Sequence, residues 1–558
     1  MNSWELSEKL RWLYQLACIV EPLRSKAYID GAMFANALET NAVTTEAFEF
    51  GKQQGILYDY VANDALELIR TGLSSTESEY LKRIPKGIVN LLSIEGMRAS
   101  NASRLYHDLG IETVEELKRA SMTGTIASKQ EFGQRFSDQV GYLATQSLSG
   151  RRAVPLPRML HFSKLVLDKL SLHPDVKKAF VAGEVRRGKE LVEKADFLCA
   201  VSKPNELLAQ DIARKIELEK IEIIPSGIQG YFFGVLVRVH LCKPKYVGSA
   251  LAWSTGPGDF YQRLESLLFK PYRTRAGFIA VIGDEKSFFD KLGLAYIPPE
   301  VREWPDVIDQ TKEIRNWDLI CDDDVLGDLH CHTSWSDGRS RLSELIFEAE
   351  RQKLEYIAVT DHADRTGVVK GLTRQSLVKQ MDLINRANSG QNQCRVIPGI
   401  EFNIDDDGKV DFEMRQNILR LGGLHSGLGQ HPEQITNRYI TAIQSGQIDI
   451  LVHSTTRQLQ HRPALELDWE QIFLNCEKYG VAVEMNYAPD RCDIPWQLGR
   501  IADKCGCVFS IGGDIHGASQ LTNFKIGAVL ARRSGLSTKK VLNSNPYDFI
   551  LGKKWRVS

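Results

Sequence analysis

The chain has 558 residues, 43% of them hydrophobic and 25% charged, with a formal net charge of −1. Length predicts several units, three or four, of ordinary globular composition. The near-zero charge excludes a global pull toward nucleic acid, and no run approaches the roughly 18 apolar residues of a membrane span. The early run "WLYQLACIV" lacks a cleavage site and reads as an amphipathic helix rather than a signal peptide. Ten scattered cysteines without a CxxC pair suit reduced thiols, so a cytoplasmic protein with no membrane partner is expected.

In chain order, residues 1–145 carry apolar residues at i, i+3, i+4 spacing and predict helices. Within them, "LLSIEGMRASNASRLYHDLGIETVEEL" (91–117) predicts a helix, a tight turn at Gly96, a second helix and the start of a third. From about 155 to 310, strands such as "FLCAVS", "GVLVRVHL" and "GFIAVIG" mix with helices. The charged, proline-punctuated stretch 298–324 predicts a linker. After 325, short apolar runs alternate with amphipathic helical segments, the pattern of a parallel βα sheet or barrel.

Eight of the 12 histidines lie between His330 and His516. They fall where the C-terminal apolar runs stop. "VLGDLHCH" ends in His330 and His332, "EYIAVTDH" in Asp361 and His362, and "CRVIPGIE" in Glu401. "RLGGLHS" ends near His425, "IDILVHS" near His453, and "CVFSIGGDIH" in Asp514 and His516. Parallel βα barrels build their sites at such strand ends. In His-x-His on a strand both imidazoles share one face, with Cys331 turned away. Nine imidazole and carboxylate groups exceed the needs of one ion and suit two or three divalent ions, Mn, Zn or Fe. Such clusters activate water and clamp phosphoryl oxygens. His431 and His461 lie off the strand ends and read as ordinary histidines. Arg457 and Arg491 follow the metal strands and suit phosphate contact, with Asn486 as a further candidate.

The motifs "DLHCHTSWSDG", "TDHAD", "GIEFN", "LVHSTTR", "EMNYAPDR" and "GGDIHG" resemble the successive motifs of the PHP (polymerase and histidinol phosphatase) domain, in the form fused to bacterial family X DNA polymerases. The resemblance implies a distorted (β/α)7 barrel over 327–558 with three ions. His330, His332, Glu401 and Asp514 would hold one and serve as the catalytic core. Glu401, His425 and His453 would hold a second, and Asp337, His362 and His516 the third.

The front half is similar to the same polymerases. "EPLRSKAY" (21–28) resembles an early family stretch, and Gly96 sits where a helix-hairpin-helix belongs. There, backbone N–H groups would meet DNA phosphates; the second expected glycine is Arg98. "GEVRRGKELVEKAD" (183–196) resembles the palm motif Gly-Ser-x-Arg-Arg-Gly-Lys followed by Asp-x-Asp. Glu184 replaces the serine, Lys194 the first catalytic aspartate, and Asp196 remains. Alignment through "VGSAL" puts Arg238 at the third carboxylate. Polymerases need these carboxylates for two Mg²⁺ ions. A unit-charge pair at ~4 Å is worth ~4 kcal/mol at an effective dielectric of ~20, so exchanging two anions for cations predicts loss of nucleotidyl transfer. Lys194 is expected to pair with Asp196, and Arg186, Arg187 and Lys189 to hold a DNA backbone or nucleotide phosphate.

By resemblance, the chain is multidomain. A helical lyase-like DNA-binding domain (1–80) precedes a fingers-like helix-hairpin-helix domain (81–147). An α+β nucleotidyltransferase-like palm, degenerate (148–247), a thumb-like part (248–312), a linker (313–326) and the PHP phosphoesterase domain (327–558) follow. The implied activity is metal-dependent DNA hydrolysis, 3′→5′ exonuclease or 3′-end processing extending to abasic-site cleavage, in DNA repair. Gapped, single-stranded or 3′-end DNA would be the partner of a monomer. The alternatives are a small-molecule phosphatase of PHP type, a residual gap-filling polymerase working through carboxylates such as Glu184 or Glu193, and a non-catalytic scaffold.

Overall fold

In the computed structural model, the described chain comprises all residues except 39, 41, 130, 149–152, 268–280, 312, 313, 315, 364–370, 413–417, 557 and 558, and the side chains of 135 and 265. The strand expected at 277–283 lies mostly outside the described residues. The chain divides into two compact units. One comprises Met1–Val43 with Asp64–Trp317, the other Thr44–Asn63 with Asp318–Ser558.

In the first unit, helices such as Ser3–Val20 and Pro22–Ala37 open the chain. Asn2 caps the first by accepting from Glu5 N at 2.8 Å, and Pro22 starts the second, where its missing N–H costs nothing. A helical hairpin, Lys86–Leu92 and Ala99–Leu109, turns through Gly96 at φ +85°, a left-handed conformation open to glycine without strain. The helix Val114–Met122 follows, its N-terminus closed by a Thr113/Glu116 capping box.

The same unit carries a mixed five-stranded sheet in the order Val176–Ala182, Lys194–Val201, Val235–Cys242, Gly227–Phe232, Glu219–Ile224. The strands Lys194–Val201 and Val235–Cys242 run parallel, with Asp196 opposite Arg238 and Lys194 opposite Leu236.

The second unit holds seven parallel strands that neighbour one another in chain order: Gly327–Cys331, Tyr356–Val359, Arg395–Asn403, Leu419–Gly423, Ile450–Leu451, Ala482–Asn486 and Phe509–Gly512. Nearly every residue in them is buried, as expected of parallel strands covered on both faces. The ring almost closes on itself. Ile515 N donates to His330 O at 3.1 Å and His332 N to Ile515 O at 2.7 Å, joining the seventh strand's extension to the first. A cluster including Leu329, Tyr356, Ile397, Leu421, Ile450 and the C-terminal Leu542 and Ile550 fills the core. Helices alternate with the strands. Trp469–Tyr479, for example, starts at Asp468, which accepts from Gln471 N at 3.0 Å, and stops at Gly480 with φ +64°.

Candidate metal centre

The C-terminal ends of six of the seven strands bring six imidazoles and three carboxylates together. One group comprises His330, His332, Glu401 and Asp514; a second His332, Asp337, His362 and His516; a third His362, Glu401 and His425. Within each group the ligand atoms lie within 4.8 Å of one another. His453 Nε2 joins the third at 2.8 Å from Glu401 Oε1. The structure thus places all nine predicted ligands at one centre. It differs from the expected partition by setting His332 beside the Asp337 group and His362 in both that group and the Glu401–His425 group.

Glu401 lies at the middle. Its oxygens are 3.3 Å from His330 Nε2 and His332 Nε2, and 3.0 Å from His362 Nδ1 and His425 Nε2. Burial pushes this carboxyl upward, but the imidazoles of His362, His425 and His330 outweigh it and hold it well below the usual carboxylate range. Asp514 behaves likewise: burial opposes ionisation, and His330, His332, His516 and Arg491 overcome it. Burial drives His362 down to about 4 against the pull of Glu401.

The cluster fits divalent cations on its own chemistry. His330 Nε2, both nitrogens of His332, His362 Nδ1 and Glu401 Oε2 are buried and make no hydrogen bond in this structure. So many orphaned buried donors and acceptors in one pocket are costly unless something else satisfies them. Imidazole nitrogen with carboxylate oxygen is a set that Zn, Mn or Fe accepts.

The backbone is shaped around these side chains. His453 and Asp514 take φ of +30° and +51°, strained for residues that carry a Cβ. A Cβ on Gly512 would lie 2.6 Å from His330 Cβ, and one on Gly423 would lie 2.6 Å from His453 Cε1. Gly423 in "LGGLH" and Gly512 in "IGGDIH" thus leave room for His453 and His330.

A supporting layer lies behind the ligands. Asp361, fully buried, accepts from Thr333 N (2.8 Å), Thr333 Oγ1 (2.6 Å) and Gln380 Nε2 (2.5 Å), and also from Ser336 Oγ. It therefore pins the loop that delivers Asp337. Asp328 accepts from Tyr487 OH at 2.6 Å and His330 N at 2.8 Å. Glu484 binds His330 Nδ1 at 2.7 Å. Sequence reasoning passed over Glu484 and Asp328. Their signal was a carboxylate set inside an apolar strand, "VAVEMN" and "VLGDLH", where only a paired charge is tolerated.

Of the expected phosphate contacts, Arg491 Nε lies 3.5 Å from Asp514 Oδ2, at the edge of the centre. Arg457 donates from Nε to the Arg491 carbonyl at 2.9 Å, one shell further out. Asn486 is a correction. It is wholly buried, donates to Glu484 Oε2 at 3.0 Å and accepts from Ala488 N at 3.0 Å, so its amide is committed to the fold.

The first unit also departs from expectation. Arg186 grips Glu285 with two bonds of 3.0 and 2.7 Å. Arg187 is buried between Glu303 (2.9 Å) and the Thr255 carbonyl (2.7 Å). Lys189 pairs with Glu184 at 2.8 Å. These three cations are engaged inside the unit rather than presented to a phosphate. The expected Lys194–Asp196 pair gives way to another: buried Asp196 faces His240 Nε2 at 3.6 Å. Arg238 donates to Gln229 Oε1 at 2.8 Å. Glu184 is also taken by Glu193 N at 2.7 Å. Arg98 is exposed and opens the helix Ala99–Leu109.

Residues 328–490 match the PHP domain family. Over 497 residues the chain is 27% identical to a DNA polymerase/3′-5′ exonuclease PolX of Bacillus subtilis, covering 86% of this chain and 86% of that one. Over 236 residues it is 24% identical to a probable phosphatase of Shewanella oneidensis, covering 39% of this chain and 87% of the relative. A solved structure of Leishmania infantum polymerase beta in a ternary complex matches 39% of this chain and 98% of its own at 18% identity, with a TM-score of 0.24. No helix among the described residues is long and apolar enough to cross a membrane.

Proposed function

Because the chain belongs with the family X DNA polymerases that carry a C-terminal PHP phosphoesterase domain, we propose that it is a metal-dependent DNA 3′→5′ exonuclease or 3′-end-processing enzyme acting in repair. Convergence of nine ligand side chains on one buried centre carries this reading. His330, His332, Glu401 and Asp514 would hold one divalent ion, Glu401, His425 and His453 with His362 a second, and Asp337, His362 and His516 with His332 a third. Such ions supply water activation and charge neutralisation for phosphoester hydrolysis.

The chain's own residues do the rest. Asp361 fixes the loop bearing Asp337, and the barrel wall keeps Glu401 dry. Arg491, beside Asp514, would grip a phosphate in two-point fashion. In the first unit the hairpin at Gly96 and Arg98 serves as a DNA-positioning element. Nucleotidyl transfer is lost in this reading, since Lys194 stands two residues before Asp196 on the same strand, Arg238 lies opposite Asp196 on the neighbouring strand, and Glu184 is paired with Lys189.

Similarity to a probable phosphatase favours a second reading, hydrolysis of small phosphate monoesters. A side-by-side assay separates them: Mn²⁺-loaded protein is given 3′-hydroxyl DNA and a small monoester in parallel. DNA shortening with negligible monoester turnover supports the first reading. Monoester turnover with intact DNA overturns it.

A further inference from the structure

We infer that Glu484 is a positioning residue for the metal centre, fixing the ring form of His330 and tying that ligand to the segment after the strand Ile450–Leu451 that carries His453. The inference rests on the metal-centre reading above.

Glu484 lies in the strand Ala482–Asn486 with 1% of its surface exposed. Three groups converge on its carboxylate. His330 Nδ1 is 2.7 Å from Oε1, while His453 N (2.8 Å) and Asn486 Nδ2 (3.0 Å) donate to Oε2. An ionised carboxylate only accepts, so His330 carries its proton on Nδ1. In the neutral ring this leaves Nε2 as a lone pair, and that nitrogen faces Glu401 Oε2 at 3.3 Å and Asp514 Oδ1 at 3.7 Å without a hydrogen bond. That is the form a cation ligand requires. The other oxygen holds the backbone of His453, whose φ of +30° needs external support. One carboxylate therefore anchors ligands of two neighbouring ion positions. The fold forgoes a side chain for this pair, since a Cβ on Gly512 would come within 2.3 Å of Glu484 Oε1.

The chemistry makes a sharp variant. In Glu484→Gln the shape is kept, but the amide has one acceptor for three donors, and its NH₂ must face either the imidazole or the His453 N–H. Calorimetric titration of metal-free full-length protein with Mn²⁺ is expected to show roughly 10–100-fold weaker binding in Glu484→Gln. The visible spectrum of the Co²⁺ form is expected to shift, because ligand orientation changes. Glu484→Asp keeps the charge one methylene shorter and is expected to recover part of the affinity. Should Glu484→Gln fail to fold by circular dichroism, Glu484→Asp carries the test. It cannot span both partners, and roughly 10-fold weaker binding is expected of it. Wild-type affinity and an unchanged Co²⁺ spectrum in the folded variant overturn the inference and leave the metal reading standing. Absence of metal binding by the wild-type protein overturns both.

Discussion

Replacing Glu401 by Gln should empty part of the centre, not all of it. Five imidazole nitrogens lie 2.8 to 3.3 Å from its two oxygens. Two of the three ligand groups contain it, whereas His332, Asp337, His362 and His516 form the group without it. A unit charge facing a divalent ion at ~4 Å is worth about twice ~4 kcal/mol at an effective dielectric of ~20. Keeping a carboxylate buried costs several kcal/mol of desolvation, which the neutral amide avoids. The net loss is then about 3–4 kcal/mol for each affected ion, on the order of 10²–10³ in Kd. Metal content by mass spectrometry after dialysis against low-micromolar Mn²⁺ should therefore fall, with the ion of the Asp337 group retained. Asp337→Asn should show the reciprocal pattern. Full wild-type metal content in Glu401→Gln would show that Glu401 holds no ion, and loss of every ion together would show that the Asp337 group is not a separate position.

Other consequences follow from the same structure. Arg491→Ala should lower kcat/KM on DNA by roughly 10–100-fold, the weight of one or two charge-assisted contacts. It should not weaken Mn²⁺ binding, since it removes a cation from beside Asp514; weakened metal binding in titrations would contradict this. Asp449 is wholly buried among Arg420 (2.8 Å), Lys553 (2.6 Å) and Arg556. Burial raises its pKa, and the bonds to Arg420 and Lys553 more than reverse this, so the folded value lies below the ordinary one. A depressed carboxylate stabilises above its unfolded pKa near 4 and loses that contribution as pH falls through the folded value. Asp449→Asn should thus cost about 3–5 kcal/mol at pH 7 in urea unfolding, with a gap that shrinks below about pH 4; a pH-independent gap would count against it. On gapped DNA with Mg²⁺ no templated incorporation of labelled nucleotide is expected, and a product one residue longer would restore the polymerase reading.

The barrel was legible because its strands are buried on both faces and read as apolar runs, six of the seven stopping at a histidine or carboxylate. His-x-His at 330 and 332 needs only the two-residue period of a strand to put both rings on one side. Partition among ion positions was less legible, since His332 and His362 face two groups each and that depends on the closing of the ring through Ile515. Asn486 and Glu484 show the limit from the other side. They share a strand face two residues apart, and the sequence does not say which of the two meets a ligand side chain. The basic run Arg186–Lys189 misled for a different reason. Its partners Glu285 and Glu303 lie about a hundred residues away, beyond any local pattern.

In the proposed function one centre at the barrel's strand ends hydrolyses DNA. This is tested most directly by digesting 5′-labelled single-stranded DNA with Mn²⁺, using wild type and His330→Ala/Asp514→Ala. A ladder shortening stepwise from the 3′ end is expected, abolished in the double variant while that variant remains folded. An equal ladder from both proteins, or none from the metal-loaded wild type, would mean that this centre does not hydrolyse DNA.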